Sequence, residues 1–412
     1  MISLGCPKNL VDSEYMLGIL LGKSFAVVSS LKKADIVVVN TCAFIESAQQ
    51  ESIDTLLEII ENKGEKKLCV TGCLVSLFKK ELFGKIPQID AIIDPFNIDK
   101  IANVCNGLVK GKTHIICIGS RTKHRIRFSE RCFTASSHSA YLKIADGCNN
   151  RCSYCIIPKL RGNYNSRRAK DIIEEAKVLA EAGCKELNLV AQDTTLYGKD
   201  IYNQIKLPEL LENLSQIHEI RWIRLLYTHP AHYSNKLIDT IANNKKICKY
   251  LDIPLQHCND KILKTMRRKV TKKDIVTLIN KLREKIPQLI LRTTFLVGFP
   301  TETEKEFNEL LEFVEKMQFD HVGAFAYSPQ KNALSSNFKE SLSNGTKEKR
   351  RAKLLSLQKD IAEKKNRILK GKEVRVLIDK KIVSGVYQGR READAPEIDN
   401  IVNASGKAEI GR

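Results

Sequence analysis

Between residues 139 and 327 the sequence alternates short apolar runs with amphipathic segments, and no other feature constrains the fold as strongly. The apolar runs lie at 140–145, 186–191, 221–227, 250–255, 289–297 and 321–327. Apolar residues recur at helical spacing between them, at 170–181, 207–217, 235–242, 273–285 and 304–316. Strands that reach their neighbours through helices build parallel sheets in α/β domains. Six such strands predict a partial (β/α)6 barrel, with its chemistry at the C-terminal ends of the strands.

The segments that follow those strands carry chemistry. The first leads into Asp-Gly-Cys-Asn-Asn-Arg-Cys-Ser-Tyr-Cys, which sets Cys148, Cys152 and Cys155 in a C-x3-C-x2-C array. A cubane iron–sulfur cluster takes one thiolate per iron, so three local ligands leave one iron open to a substrate or cofactor. Zinc is the alternative, but structural zinc usually takes four ligands, and no second cysteine pair follows nearby. The second strand ends in Gln192 and Asp193, the third in Thr228 and His229, and the fourth in Gln256 and His257. Gln and Asp suit the hydroxyls and amino groups of a nucleoside. Arg292, inside the fifth strand, can face the barrel interior and pair with a carboxylate. His229 and His257 are read as satisfying local hydrogen bonds.

Residues 1–108 show the same alternation, with apolar runs at 25–28, 35–39, 67–70 and 91–93 and a helical pattern over 45–60. They predict an open, mostly parallel α/β domain whose ligands bind at the strands' carboxyl ends. Cys6, Cys42 and Cys73 fall at those ends, and each opens the following helix. Gly5 and Gly72 each precede one of them, allowing close backbone approach to a bulky ligand. Helix N-termini favour thiolates. The three thiols can converge on a second three-ligand cluster, or be buried structural cysteines. Cys69 and Cys105 read as core thiols, and nothing assigns a role to Cys117 or Cys132.

Composition narrows the class. The chain has 412 residues, 43% of them hydrophobic, enough for two or three domains with sizeable cores. No apolar run is long enough to span a bilayer. The first residues lack the charge and apolar pattern of a secretory signal, so a cytoplasmic location is expected. Thirteen cysteines in such a chain point to metal or redox chemistry rather than disulfides. The net charge of +20 fits a polyanionic partner such as RNA or a ribosome, or a proteome that is basic throughout.

Residues 109–137 read as a linker with one short strand at 114–118. Its basic cluster at 121–127 reads as a solvated face. A Lys-rich helix is expected over 347–370, followed by strands of a small β-barrel at 374–378 and 382–387. The acidic run 392–399 suits a basic protein partner better than a phosphate backbone.

These motifs together resemble a known family. The cysteine array, with Tyr154 before its last member, on a six-stranded barrel, resembles the radical S-adenosylmethionine superfamily. The opening Ser3-Leu-Gly-Cys-Pro-Lys-Asn-Leu-Val-Asp-Ser-Glu14 resembles the first signature of its methylthiotransferases. The contexts Leu-Gly-Cys6, Asn-Thr-Cys42 and Thr-Gly-Cys73 match that family's ligands to an auxiliary [4Fe-4S] cluster. The branch acting on ribosomal protein S12 is resembled at Pro7-Lys8-Asn9, at 250–268, and at Gly389-Arg-Arg-Glu-Ala-Asp-Ala-Pro-Glu-Ile-Asp399. The branch acting on tRNA usually has Gln-Met-Asn at the first of these.

The resemblance implies an enzyme with two [4Fe-4S] clusters and S-adenosylmethionine. It would add a methylthio group to the β-carbon of an S12 aspartate, consuming two S-adenosylmethionine molecules. Partners would be S12 in the small ribosomal subunit and an electron donor such as flavodoxin or ferredoxin, with the sulfur donor left open. Tyr154, Gln192, Asp193, Gln256 and Arg292 would line the S-adenosylmethionine pocket. The domains would be 1–108, a linker at 109–137, the barrel at 138–345, a connecting helix at 346–370, and a partial TRAM module at 371–412. That module stops before its usual closing strands, and Thr301 stands where the family usually has Gly. Two other readings remain: a tRNA adenosine methylthiotransferase, and a non-catalytic RNA-binding protein with structural metal. The latter does not account for six cysteines at strand ends of two α/β domains.

Overall fold

Ile36-Val-Val-Val39 and Leu68-Cys-Val70 are the continuous apolar runs expected of strands covered on both faces, and both form such strands. The computed structural model describes residues 1–119, 131–134 and 138–411. In the N-terminal part, β1 (Ile2–Ser3), β2 (Ile36–Thr41), β3 (Lys67–Gly72), β4 (Ala91–Ile93) and β5 (Ile115–Cys117) form one parallel sheet in that order. The register places Ser3 opposite Asn40 and Thr41 opposite Gly72, so the ends of the first three strands lie level. Met16, Val38, Cys69, Ile93, Ile101 and Cys105 pack into one core, which places Cys69 and Cys105 among its apolar side chains.

Two expectations change here. Residues 25–28 form no strand, and Val27 and Val28 are exposed, because the short β1 takes the sheet edge beside β2. The strand foreseen inside the linker, β5, is the fifth strand of this sheet, so the α/β layer extends past residue 108. The basic cluster at 121–127 lies outside the described residues. The chain divides into two compact units. Residues 146–149 and 155–164 group with the N-terminal sheet, and the remainder groups with the barrel.

The barrel strands are β6 (Ser139–Lys143), β7 (Glu186–Val190), β8 (Trp222–Leu225), β9 (Ile247–Asp252), β10 (Ile290–Val297) and β11 (His321–Ala326). They pair in parallel in sequential order, with β6 and β11 at the two edges, giving an open, partial barrel. The five expected helices occur at Ala169–Glu181, Leu207–Ser215, Asn235–Asn243, Lys272–Lys285 and Glu304–Met317. Capping boxes at Thr271 with Asp274 and at Thr303 with Glu306 fix where the last two begin.

The helix Asn344–Ile368 leads to a three-stranded antiparallel sheet: β12 (Val376–Val383), β13 (Val386–Arg391) and β14 (Val402–Ser405). The strand expected at 382–387 is therefore split by a turn. Gly385, at φ +75°, makes the reversal that a β-branched residue resists.

The acidic run behaves differently from its sequence reading. Asp394 is fully buried and accepts from Nε and Nη2 of Arg391. Asp399 pairs with Arg292 and accepts from the Tyr250 hydroxyl at 2.7 Å. Glu392 accepts from the Lys249 backbone N–H at 2.8 Å. Arg390 pairs with Glu186, which also pairs with the fully buried Arg224. Of the four acids in the run, Glu397 is the one classed as exposed, because the others satisfy charged and polar groups at the barrel's base. The run is a structural seal there, which overturns its reading as a partner-facing surface.

Candidate cluster and cofactor sites

The first cysteine triad is built by strand register. Cys6 precedes the helix Pro7–Leu21, Cys42 follows β2, and Cys73 opens the helix Cys73–Phe78 directly after β3. All three therefore sit at the carboxyl ends of adjacent parallel strands. Gly5 has φ +86°, and a Cβ there would lie 2.8 Å from Cys42 Sγ. Gly72 has φ +93°, and its Cβ would lie 2.3 Å from the Thr41 carbonyl oxygen. Glycine is needed at both positions because the neighbouring strand end comes so close. Asn9 clamps the same ends: its side-chain amide donates to the carbonyls of Leu4 at 2.9 Å and Thr41 at 3.0 Å.

Burial pushes the Cys42 thiol up to about 11 and raises Cys73 as well. At Cys73, which opens a helix, desolvation thus outweighs the terminus effect expected to favour a thiolate. Cys42, against expectation, opens no helix, since the next one is Glu46–Glu61. Metal loading must displace those protons, as soft-metal binding to thiols does. Three thiols of this kind fit an iron–sulfur cluster.

The second triad lies on a loop and is half-buried throughout. Gly147, at φ +76°, is pressed against the backbone: a Cβ there would be 2.2 Å from the Asn163 carbonyl oxygen. The Cys148 N–H donates to the Gly162 carbonyl at 3.1 Å. Ser153 is held by three bonds: N–H to Met266 O at 3.0 Å, Oγ to Thr265 O at 2.8 Å, and its carbonyl accepting from Ser335 N–H at 2.8 Å. Arg268 approaches Cys152, with Nη1 3.7 Å from Sγ, and its other arm donates to the Pro254 carbonyl. Its neighbours Arg267 and Lys269 have φ of 58° and 54°, so strained backbone on both sides carries this side chain. The half-buried thiols also fit a cluster that leaves one iron accessible.

The polar strand ends sort into distinct environments. Asp193 is 1% exposed. Burial raises its carboxyl, but hydrogen bonds and charge from His232 and the Thr195 hydroxyl outweigh this and leave it below the usual range. Asn150, two residues past Cys148, donates to Asp193 Oδ2 at 2.8 Å, tying the cysteine loop to this strand end. His229 and His232 stack at 4.7 Å, and the ligand atoms of Asp193, His229 and His232 all lie within 4.8 Å. His229 Nδ1 accepts from Ala231 N–H at 3.2 Å, and burial drives its pKa down to about 2. The ring is therefore neutral, and the Ala231 bond leaves its proton on Nε2.

Gln192 lies beside Asp193 at the end of β7. Gln256 is left-handed, φ 74°, yet keeps the strand pairing: its N–H donates to Thr294 O and its carbonyl accepts from Leu296 N–H, both at 2.8 Å. Tyr154 packs against the apolar cluster of Ile262, Met266, Phe299 and Tyr327. Arg292 does meet a carboxylate, but that carboxylate is Asp399 at the barrel's base. Arg292 also lies 3.9 Å from the carboxylate of Asp252, the last residue of β9. Thr301 is not among the described residues with positive φ; the left-handed position in that loop is Gly298, at φ +72°. The glycine usual at 301 is therefore not required for this turn.

Two residues of these sites escaped the sequence reading. Arg161 and Arg268 are each buried beside one cysteine triad, and both looked like ordinary basic residues. Nothing local marks them, although the left-handed residues flanking Arg268 are a structural sign.

The Radical SAM superfamily matches residues 142–314, the uncharacterized protein family UPF0004 matches 1–94, and the TRAM domain matches 371–412. A curated relative from Clostridioides difficile, the ribosomal protein uS12 methylthiotransferase RimO, is 47% identical over 97% of this chain and 90% of its own length. The chain belongs to the RimO methylthiotransferase family. A RimO from Thermoanaerobacter is 45% identical over 97% of this chain and 92% of its own length. Among solved structures, the radical S-adenosylmethionine methyltransferase TsrM from Kitasatospora setae matches with a TM-score of 0.59 at 13% identity. That match covers 79% of this chain and 70% of TsrM, and it bears on the fold alone. As a RimO-family member the chain is a radical S-adenosylmethionine methylthiotransferase, and its cofactors are S-adenosylmethionine and [4Fe-4S] clusters. No helix among the described residues is long and apolar enough to cross a membrane.

Proposed function

We propose that this enzyme adds a methylthio group to the β-carbon of an aspartate of ribosomal protein S12, in the cytoplasm, using two [4Fe-4S] clusters and two S-adenosylmethionine molecules. The observation that carries the reading is the first triad. Cys6, Cys42 and Cys73 lie at the ends of three adjacent strands, separate in the chain from the array that marks the superfamily. That these relatives are ribosomal protein uS12 methylthiotransferases supports S12 as the substrate.

In this reading Cys148, Cys152 and Cys155 hold one cluster, and Cys6, Cys42 and Cys73 hold the other. When bound, these groups supply the reductive cleavage of S-adenosylmethionine and the sulfur-transfer chemistry. The chain's own residues orient and enclose. Gln192, Asp193 and Gln256 offer polar groups at the strand ends to S-adenosylmethionine. Tyr154 anchors the cysteine loop on its apolar cluster. Arg268 fixes Cys152. Arg292, grouped by sequence with that pocket, pairs with Asp399 and lies near Asp252. An external electron donor of the flavodoxin or ferredoxin kind completes the scheme.

The test is mass spectrometry of ribosomal proteins and tRNA nucleosides from cells with and without the protein. Loss of the methylthio group from S12 in its absence supports the reading. Loss confined to a tRNA nucleoside moves the enzyme to the tRNA branch.

A further inference from the structure

Arg161 ends the short helix Ile157–Arg161, six positions beyond Cys155 in the chain, and this helix packs against the helix that Cys73 opens. Its side chain is 2% exposed. Nη1 donates to Asp12 Oδ2 at 2.7 Å and to Asp146 Oδ2 at 3.3 Å. Nη2 donates to Asn9 Oδ1, on the same amide that clamps the carbonyls of Leu4 and Thr41. Through that amide the guanidinium is linked to the strand ends that precede Cys6 and Cys42.

This arrangement costs more than a fold needs. A buried arginine pays a desolvation penalty that hydrophobic packing avoids. Two carboxylates and an amide fix the plane of the guanidinium, so its remaining donor capacity is aimed rather than free. Burial works against the charge, but Cys73, Asp146, Asp12 and Cys6 outweigh it, and the group stays cationic.

We propose that Arg161 is a positioning residue of the Cys6/Cys42/Cys73 cluster, holding the Asn9 clamp on the strand ends and setting a buried positive charge beside the triad, which raises the cluster's reduction potential and retains its iron. The proposal rests on assigning that triad as cluster ligands. A positive charge near a cluster stabilises its reduced, more negative state. Outer groups of this kind also hold the ligand in place.

The test uses the full chain carrying Cys148→Ala, Cys152→Ala and Cys155→Ala, reconstituted anaerobically with iron and sulfide. The readouts are an EPR-monitored redox titration and iron release to a chelator. Arg161→Gln is expected to move the midpoint potential negative and to speed iron release about 10- to 100-fold. Arg161→Lys, which keeps the charge, should lie closer to the parent. Asp12→Asn keeps Arg161 and removes an opposing charge, so its midpoint should move positive. It tests the proposal even if Arg161→Gln does not fold. Equal shifts in the Gln and Lys variants, no shift in either, or a negative shift in Asp12→Asn overturn the proposal. Adding Cys6→Ala, Cys42→Ala and Cys73→Ala must remove the iron. Iron retained there overturns the ligand assignment itself, and the proposal with it.

Discussion

The two cysteine triads solve one problem in opposite ways. The N-terminal triad hangs on the register of three parallel strands. Cys42 and Cys73 are buried, and their thiols are harder to ionise because of it. The barrel triad hangs on a loop, half-buried, fixed by backbone hydrogen bonds around Ser153 and by Arg268 beside Cys152. Strand ends give fixed spacing at the cost of desolvation. A loop gives access at the cost of backbone strain, visible in the left-handed Arg151, Arg267 and Lys269. A ligand that must enter and leave needs the second arrangement.

The largest test of this contrast removes one triad at a time. Cys148→Ala is expected to abolish 5′-deoxyadenosine formation. Cys73→Ala should leave that reaction in place and abolish methylthio transfer. In each case iron should fall from about eight to about four per chain. Loss of 5′-deoxyadenosine in the Cys73 variant breaks the division of labour.

The next effect is on stability. Cys42 has a folded pKa of about 11 against an ordinary value of 9.0. Below pH 9 both states hold the proton and nothing is lost. From pH 9 to 11 the unfolded chain releases it and the folded chain does not, so stability falls as pH rises, by about 2–3 kcal/mol. Urea unfolding of the metal-free protein should show this fall, and Cys42→Ser should show that much less of it. The cluster-loaded protein should also lack the Cys42 contribution, because its thiolate is already deprotonated.

For the loop triad, Arg268→Gln should slow S-adenosylmethionine cleavage about 10- to 100-fold, measured as 5′-deoxyadenosine per cluster. Iron content tells loss of the cluster from loss of its tuning. The mildest difference is kinetic. In metal-free protein, iodoacetamide should label Cys148, Cys152 and Cys155 before Cys42 and Cys73, followed by peptide mass spectrometry. The reverse order would contradict the burial contrast.

The sequence made the scaffold of both sites readable because the signals are local. Apolar runs, helical periodicity and the cysteines that close each strand lie within a few residues of one another, and the six barrel strands match their expected runs to within a few residues. What stayed hidden depends on distance along the chain. Arg161 meets Asp12 across 149 positions, and Arg268 meets Cys152 across 116. An arginine whose partner is that remote looks the same as one in solvent. The run 392–399 misled for the same reason: its partners Arg292, Tyr250 and Lys249 lie in barrel strands more than a hundred residues earlier. The stretch 25–28 misled differently, since its apolar character was real but the sheet edge was already taken by β1.

That C-terminal seal has a consequence for biosynthesis. Translation delivers β7, β8 and β10 well before Arg390 and Asp399 emerge. Until they do, Glu186 lacks one of its two arginines, and Arg292 lacks Asp399. The barrel's base is therefore completed by residues made after all six of its strands. A nascent chain stalled before residue 390 would present a barrel floor short of these pairings, the kind of incomplete intermediate that chaperones and proteases recognise. The maturation of this enzyme is thus timed by residues that follow the barrel in the chain.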